Sequence, residues 1–556
     1  MDALQGILDS LVTSLKKKRL LPTQITPSIY DTAWLLRIPD PQQPDRPLFP
    51  DALDYILSRQ NANGSWGDLR AEGYWYEFVM NTMSAVNALK TWQLYGITIE
   101  DEVIDRGVAL VNETLPGLVM GYKGSYPTAG FELVFPTLLM EGWSLGIEYR
   151  NDPLVMKFLN ALRSVIQPKL ELLLNSSRLY RIPSTILHSM EAFYTPDAWG
   201  VILDWPALKE VQDRTGGFLS SPAATVVYYL KTQDPKAMKY IQWVKGTNPY
   251  LPVNYPIDNF EANWIAKMML ELIDLTPYQK QYDALIAKLN KDWQDSGLSW
   301  THGFDCPDLD DTAVAFYLLH QSGIHKSTEV FDYFSNQRYD DDTQLNFYCF
   351  VGEVQSAPTH LLNSLNAFTL LDQLDKREIA IKRALERSLR AMLNSHEPGD
   401  KWHLSANYIS AIGVRPLSIV APEMLTDGII PLLLKTQDQA SGGWGYGKTP
   451  ANVENTAWAC YVWLYLLRHD DARAKLSPKQ LDAIWHSLQC GINYIRTHRA
   501  HEQSQAMSLL WLSKVLYRPV YIVDALIEIV EIAYDEWIIQ SSTTREISPH
   551  HQAVHV

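Results

Sequence analysis

Cysteine is the residue this sequence has least use for: Cys306, Cys349, Cys460 and Cys490 are spread over 556 residues without close pairs. Such spacing excludes a disulfide-stapled scaffold and a zinc ribbon, and it fits a chain kept in a reducing compartment. Long apolar runs are missing too, which excludes stable membrane insertion through a spanning helix. The N-terminal stretch MDALQGILDSLVTSLKKKRL puts its charges after its apolar residues, the wrong order for a secretory signal, so a structural helix over 1–20 and a cytoplasmic protein are expected. Positive charge is short: 48 Lys and Arg against 63 Asp and Glu leave a net charge of −15. That balance disfavours nonspecific attachment to nucleic acid or anionic lipid, so a polyanionic ligand must find a local basic pocket. The cluster Lys16, Lys17, Lys18 and Arg19 is read as a solvated helix C-terminus instead, because it closes the apolar-periodic series Leu4, Ile7, Leu8, Leu11, Leu15. Low-complexity sequence is absent, and only the polar tail over 541–556 is expected to fray.

What is abundant is helical periodicity. Apolar residues recur at helical spacing over Ile265 to Ile273, Thr312 to His320, Arg383 to Leu393, Asn455 to Leu467 and Met507 to Ile532, while period-two alternation is rare. An all-α protein is expected, and 556 residues are too many for one ordinary core, so two domains. A weak repeat runs through it, in which a Gln precedes a Gly turn and an aromatic: Gln60, Gly64 and Trp66; Gln212, Gly216 and Phe218; Gln437, Gly442 and Trp444; more loosely, Gln294 and Trp300. Gly permits a tight turn, the aromatic packs on the next helix, and the Gln amide bonds a freed helix end. Repeated helix pairs of this kind close into α/α barrels, and two barrels account for the length. The Pro-rich segment Asn248 to Pro256 marks the boundary between them.

The sharpest local feature is Asp308-Leu309-Asp310-Asp311-Thr312, in a turn that opens a helix. Three carboxyls in four residues repel one another, which raises at least one pKa and leaves a member protonated near neutrality, as a general acid requires. A helix N-terminus pulls the other way by favouring the ionised form. By spacing alone such an acidic turn is most often just a helix cap, with a general acid and a magnesium site as the rival functional readings.

Context resolves the choice. The segment WTHGFDCPDLDDTAVAFYLL resembles the D-x-D-D region of class II diterpene cyclases, and the likeness extends to SIYDTAW (28–34), GFELVFP (130–136), IPSTILHSMEAF (182–193), GGFLSSPAAT (216–225), NYPIDNFE (254–261) and FYCFVGE (347–353). The resemblance implies two α/α barrels in the βγ arrangement: helix 1–20 packed on the second barrel, an inserted γ-like barrel over 21–255, a β-like barrel with the acidic motif over 256–540, and the tail 541–556. It makes Asp310 the proton donor, flanked by Asp308 and Asp311, with Thr359 and Asn363 bonding the catalytic carboxyl from one helix face, since i and i+4 are neighbours. His188 matches the position that helps remove the last proton in some members. Its partner there is an Asn before Val-Tyr-Pro, and here Asn254 is displaced by one residue. Lys169 falls near the place of a diphosphate-binding lysine. Members from plants carry an acidic, magnesium-linked stretch before GFE, of which this chain keeps only Glu132. A diphosphate substrate still implies Mg²⁺, held by Asp308, Asp310, Asp311 and Glu132.

The implied reaction is protonation of the far alkene of geranylgeranyl diphosphate and closure to a bicyclic diterpenyl diphosphate with the diphosphate retained, of the rearranged kolavenyl or halimadienyl type given the displaced Asn. A downstream class I terpene synthase or a phosphatase would take the product. The cation formed needs aromatic faces rather than nucleophiles around it, and Trp300, Phe304, Tyr348 and Trp34 are candidates. No class I Asp-Asp-x-x-Asp motif occurs; Asp340-Asp341-Asp342 reads as a surface loop. The rival readings are drimane-type cyclisation of farnesyl diphosphate, a squalene-type triterpene cyclase, a zinc prenyltransferase subunit using His302, Asp305 and Cys306, and a noncatalytic lipid-binding barrel.

Overall fold

A computed structural model describes residues 3–17, 25–71, 73–122, 126–175, 184–195, 199–351, 353, 356–393, 400–505 and 508–546. Its helices sort by contact into two closed rings. The first ring is α2 (Ile29–Leu36), α3 (Trp75–Leu94), α4 (Phe131–Ser144), the 3-10 turn Met190–Phe193 and α5 (Pro222–Thr232), each packed on the next and α5 packed back on α2. Helices Pro50–Ser58, Asp101–Gly121, Pro153–Asn175 and Pro235–Lys245 lie outside it. The second ring runs α6 (Asp258–Leu272), α7 (Leu309–Gln321), α8 (Pro358–Phe368), α9 (Ala406–Val420), α10 (Val453–Arg468) and α11 (Val520–Glu546), which closes on α6. Helix Ala3–Lys17, α1, packs on α11 and on helix Gln279–Asp292 of this second set. Lys18 and Arg19 of the N-terminal basic cluster, and the side chains of Lys16 and Lys17, lie outside the described residues. Inner helices are buried nearly all round, which is why α3 and α10 lack a polar face.

Local sequence starts these helices. Ser28, Ser221, Asp308, Ser405 and Asn452 stand in extended backbone and accept an amide N–H from the first turn of α2, α5, α7, α9 and α10. The Gln–Gly–aromatic turns share one geometry. Trp66, Phe218 and Trp444 each donate a backbone N–H to a threonine hydroxyl of the following inner helix, Thr82, Thr225 and Thr456, at 3.0, 3.1 and 3.0 Å. Gln60, Gln212 and Gln437 donate to the turn carbonyls of Gly64, Gly216 and Gly442. Gly64 and Gly442 have φ of +89° and +80°, and a Cβ there would meet a carbonyl oxygen of the next outer helix at 2.6 and 2.9 Å. In the fourth turn Leu298, not Trp300, takes the aromatic's place, donating to Thr312 at 2.9 Å. That frees Trp300 to face elsewhere.

One expectation is corrected. Periodicity over Met507 to Ile532 reads as one helix, but Trp511–Leu512 (β3) and Leu516–Tyr517 (β4) form an antiparallel hairpin and the helix starts only at Val520. Pro519 cannot sit in a helix interior, and the hairpin takes its partners from distant segments of both rings rather than from its neighbours in sequence. Within the segment expected to mark the domain boundary, Leu251–Pro252 (β2) pairs antiparallel with Pro27–Ser28 (β1). In the tail, α11 continues through Glu546.

The hairpin joins the rings. Ala129 donates to Ser513 O at 2.8 Å and Leu516 N donates to Glu77 at 2.7 Å. At its tip Lys514, with no solvent exposure, is ion-paired to Glu191 at 2.5 Å and donates to Ser221 at 2.6 Å; Tyr30 also donates to Glu191, at 2.7 Å.

Candidate active site

A cavity of about 490 Å³ lies between the two rings. The first ring contributes Thr128, Ala129, Gly130, Glu132, Leu133 and His188; the second contributes the start of α7, the loops around Cys349 and Trp402, and the hairpin. Phe260, Trp300, Phe350, Trp402, Tyr408 and Trp511 line it as a chain of edge-on contacts: Trp300 to Phe350 at 5.6 Å, Phe350 to Trp402 at 6.4 Å, Tyr408 to Trp511 at 4.9 Å and Trp511 to Phe260 at 5.5 Å. Such rings offer π-faces and few hydrogen-bonding groups.

Asp308, Asp310 and Asp311 all open onto this cavity and all are buried, Asp310 being 6% exposed. Each has a separate duty. Asp308 Oδ1 caps α7 by accepting Asp311 N–H at 2.8 Å. Asp311 Oδ1 accepts from Asn263 at 2.7 Å. Asp310 Oδ1 accepts from Asn363 at 3.0 Å, and among the described residues its Oδ2 has only the Cys349 thiol, at 3.7 Å. Burial raises the Asp310 pKa from the ordinary carboxylate range to about 7; Asn363 opposes the rise, while the nearby charges of Asp400 and Asp311 add to it. Burial likewise takes Asp311 to about 7 and pushes Asp308 well up, the latter also through Asp311. Desolvation outweighs the helix N-terminus here because all three carboxyls face apolar walls instead of water.

Thr359 does not reach Asp310. Its hydroxyl donates to both oxygens of Asp400, at 2.9 and 3.0 Å, and of the two residues only Asn363, one turn on, reaches the acid. Buried Asp400, drawn in by Trp402 N–H at 3.1 Å, outcompetes Asp310 for that hydroxyl. Of the expected aromatics, Trp300 lines the cavity. Phe304 packs on Trp300 at 4.5 Å without lining it, Tyr348 is half-buried off the lining, and Trp34 is in the core of the first ring. The Lys169 side chain lies outside the described residues.

His188 lines the wall formed by the first ring, and the displaced Asn reaches it after all: Nε2 is 3.1 Å from Asn254 Oδ1, with Asn254 Nδ2 donating to Ser513 of the hairpin at 3.0 Å. Burial, reinforced by the Lys514 charge, lowers the His188 pKa to about 3, so the imidazole is neutral. With Nε2–H donated to the amide oxygen, Nδ1 is the acceptor.

Motif reading missed several lining groups. Cys349 and Phe350 sit in a segment noted only for its likeness to a family. Lys401 and Trp402 carry no local signal, being an ordinary Lys-Trp pair in a loop. Lys401 is ion-paired to Glu353, stands 4.6 Å above the Trp402 ring, and is the only Lys or Arg on the lining among the described residues.

The expected magnesium set does not fit. Among the described residues no group of three or more His, Cys, Asp or Glu side chains is placed to hold a metal ion. The aspartates of α7 turn their oxygens to separate protein donors and favour the protonated state, and Glu132 belongs to the opposite wall. His302, proposed above for zinc, instead holds Asp258 at 2.7 Å. Among the described residues no helix is long and apolar enough to cross a membrane.

No family model matches the chain. Curated relatives include the bifunctional levopimaradiene synthase, chloroplastic, of Pinus contorta, 29% identical over 412 residues that make up 72% of this chain and 44% of that protein. The bifunctional abietadiene synthase, chloroplastic, of Abies grandis is 29% identical over 395 residues, 69% of this chain and 42% of the relative. The chain thus spans less than half the length of these relatives. Among solved structures, ent-copalyl diphosphate synthase from Streptomyces platensis superposes with a TM-score of 0.69 at 22% identity, covering 96% of this chain and 98% of that one. The Arabidopsis thaliana ent-copalyl diphosphate synthase, in complex with (S)-15-aza-14,15-dihydrogeranylgeranyl thiolodiphosphate, gives 0.68 at 23% identity over 98% of this chain and 65% of that one. The chain therefore has the all-α, two-barrel fold of the class II diterpene cyclases, and in sequence it is related to diterpene synthases.

Proposed function

We propose that the protein is a class II diterpene cyclase that converts geranylgeranyl diphosphate to a bicyclic diterpenyl diphosphate of the copalyl type. The observation that carries this reading is Asp310: a carboxyl with a pKa of about 7, bonded through one oxygen only to an amide, at the wall of an aromatic cavity. Asp310 gives its proton to the terminal alkene; the π pair forms the new C–H bond and leaves a tertiary cation. Two internal alkenes then attack in turn, forming two C–C bonds. The aromatic faces lower the energy of the moving charge without adding to it. His188 Nδ1 takes the last proton, directly or through a water, so the reaction is a net isomerisation and the diphosphate leaves as it came. The ground for expecting a rearranged skeleton was the displaced Asn; with Asn254 paired to His188, early deprotonation to an unrearranged product is the better-supported outcome. The retained diphosphate then calls for a second enzyme, a class I synthase or a phosphatase.

The test is incubation of the purified protein with geranylgeranyl diphosphate, farnesyl diphosphate and squalene, with products identified by NMR after dephosphorylation. A bicyclic C20 alcohol supports the proposal. A drimane from the C15 substrate, a triterpene from squalene, or no turnover of any of them sinks it.

A further inference from the structure

The loop that presents Cys349 is tied to the first turn of α7, because Leu309 N–H donates to the Cys349 carbonyl at 3.0 Å. The side chain is 2% exposed and lines the cavity, with Sγ 3.7 Å from Asp310 Oδ2. The other carboxyl oxygen is occupied by the Asn363 amide N–H. A neutral carboxyl carries its hydrogen on one oxygen, and the oxygen that accepts from Asn363 must keep its lone pair toward that donor. The transferable hydrogen therefore sits on Oδ2, on the side of the sulfur.

Given the cyclase reading, on which this rests, we propose that Cys349 is a positioning residue for that hydrogen. Sulfur is a weak acceptor, so it leaves the Oδ2 proton loosely held and free to point at an alkene. It is also a weak donor, so once the proton has gone the S–H turns to the new carboxylate and steadies it. No bond to sulfur is made or broken, and the thiol keeps its own proton. Burial and the carboxyls nearby hold the thiol pKa well above its usual range, consistent with that protonated role. The ionisable groups facing Asp310 are Asp308 and Asp311 on its own helix, Asp400 and Tyr408 from the loop before α9 and from α9 itself, and, behind Cys349, the pair Glu353 and Lys401.

The experiment compares the full chain with Cys349→Ser and Cys349→Ala, measuring kcat and KM for geranylgeranyl diphosphate across pH. Serine donates a stronger hydrogen bond to the carboxylate, so the limb on which kcat falls with rising pH is expected to move down by about half a pH unit, a roughly threefold change in proton affinity. Alanine removes the donor, and the limb is expected to move up by a similar amount. KM stays within about twofold in both. Limbs that do not move, or that move the same way in both variants while KM rises, mean the thiol only fills space and overturn the proposal. Asp310→Asn run alongside separates the two ideas: turnover by that variant refutes the cyclase reading, whereas its inactivity with unmoved Cys349 limbs refutes this inference alone.

Discussion

Replacing Asp310 by Asn is expected to abolish turnover and to stabilise the fold, and both effects come from the same carboxyl. The side chain is held at about 7 in the folded protein against 3.8 for an unperturbed Asp. Below about pH 4 the group is protonated in both folded and unfolded chains and nothing is lost. Between these values the unfolded chain ionises while the folded one does not, so stability falls as pH rises and the full penalty is present above about 7. That difference corresponds to roughly 4 kcal/mol. Asparagine has the same shape, has a carbonyl oxygen to accept from Asn363, and carries no charge at any pH. The variant is therefore expected to melt at the wild-type temperature near pH 4 and progressively above it from pH 5 to 8. Its kcat is expected to drop by about 10³-fold or more, because general-acid catalysis is removed. In the wild type, kcat should fall about tenfold per pH unit above about 7, since only the protonated carboxyl can act. Melting curves at pH 4, 6 and 8 and product assays over the same range read both quantities. Wild-type turnover by the variant, or a melting difference that does not grow with pH, refutes the reasoning.

Asn363→Ala removes the donor that favours ionised Asp310, so the alkaline limb of kcat should move to higher pH while kcat falls about 10- to 100-fold, read from the pH–rate profile. Lys514→Met leaves Glu191 buried without its cation at the hairpin tip and is expected to cost about 3–5 kcal/mol in urea unfolding; adding Glu191→Gln should restore much of it. Gly442→Ala forces a side chain onto φ +80° and against the Cys490 carbonyl, for a loss of about 1–3 kcal/mol, whereas Gly428→Ala, with open space around it, should be near neutral in the same measurement.

The chain by itself determines whatever depends on partners three or four residues away. Asp308 caps α7 through Asp311 within one turn, so the acidic cluster was legible as a helix start. The Gln and Gly of the repeated turns bond within five residues, so their shape was legible as well. Where a single local rule was extended too far it misled: periodicity through Pro519 predicted a helix in place of the hairpin, and the fourth turn gave its packing position to Leu298 instead of Trp300. Tertiary structure decided the rest. Asn363 meets Asp310 across 53 residues, Asn254 meets His188 across 66, and Ser513 meets Asn254 across 259, and no window of sequence contains both members of such a pair. Thr359 was placed on the right helix but its hydroxyl went to Asp400, since which acceptor lies nearest is a property of the packed loop. The proton on Asp310 is of this kind also. Three adjacent carboxyls repel one another in any conformation, but only enclosure by two rings of helices withdraws the water that would otherwise let all three ionise.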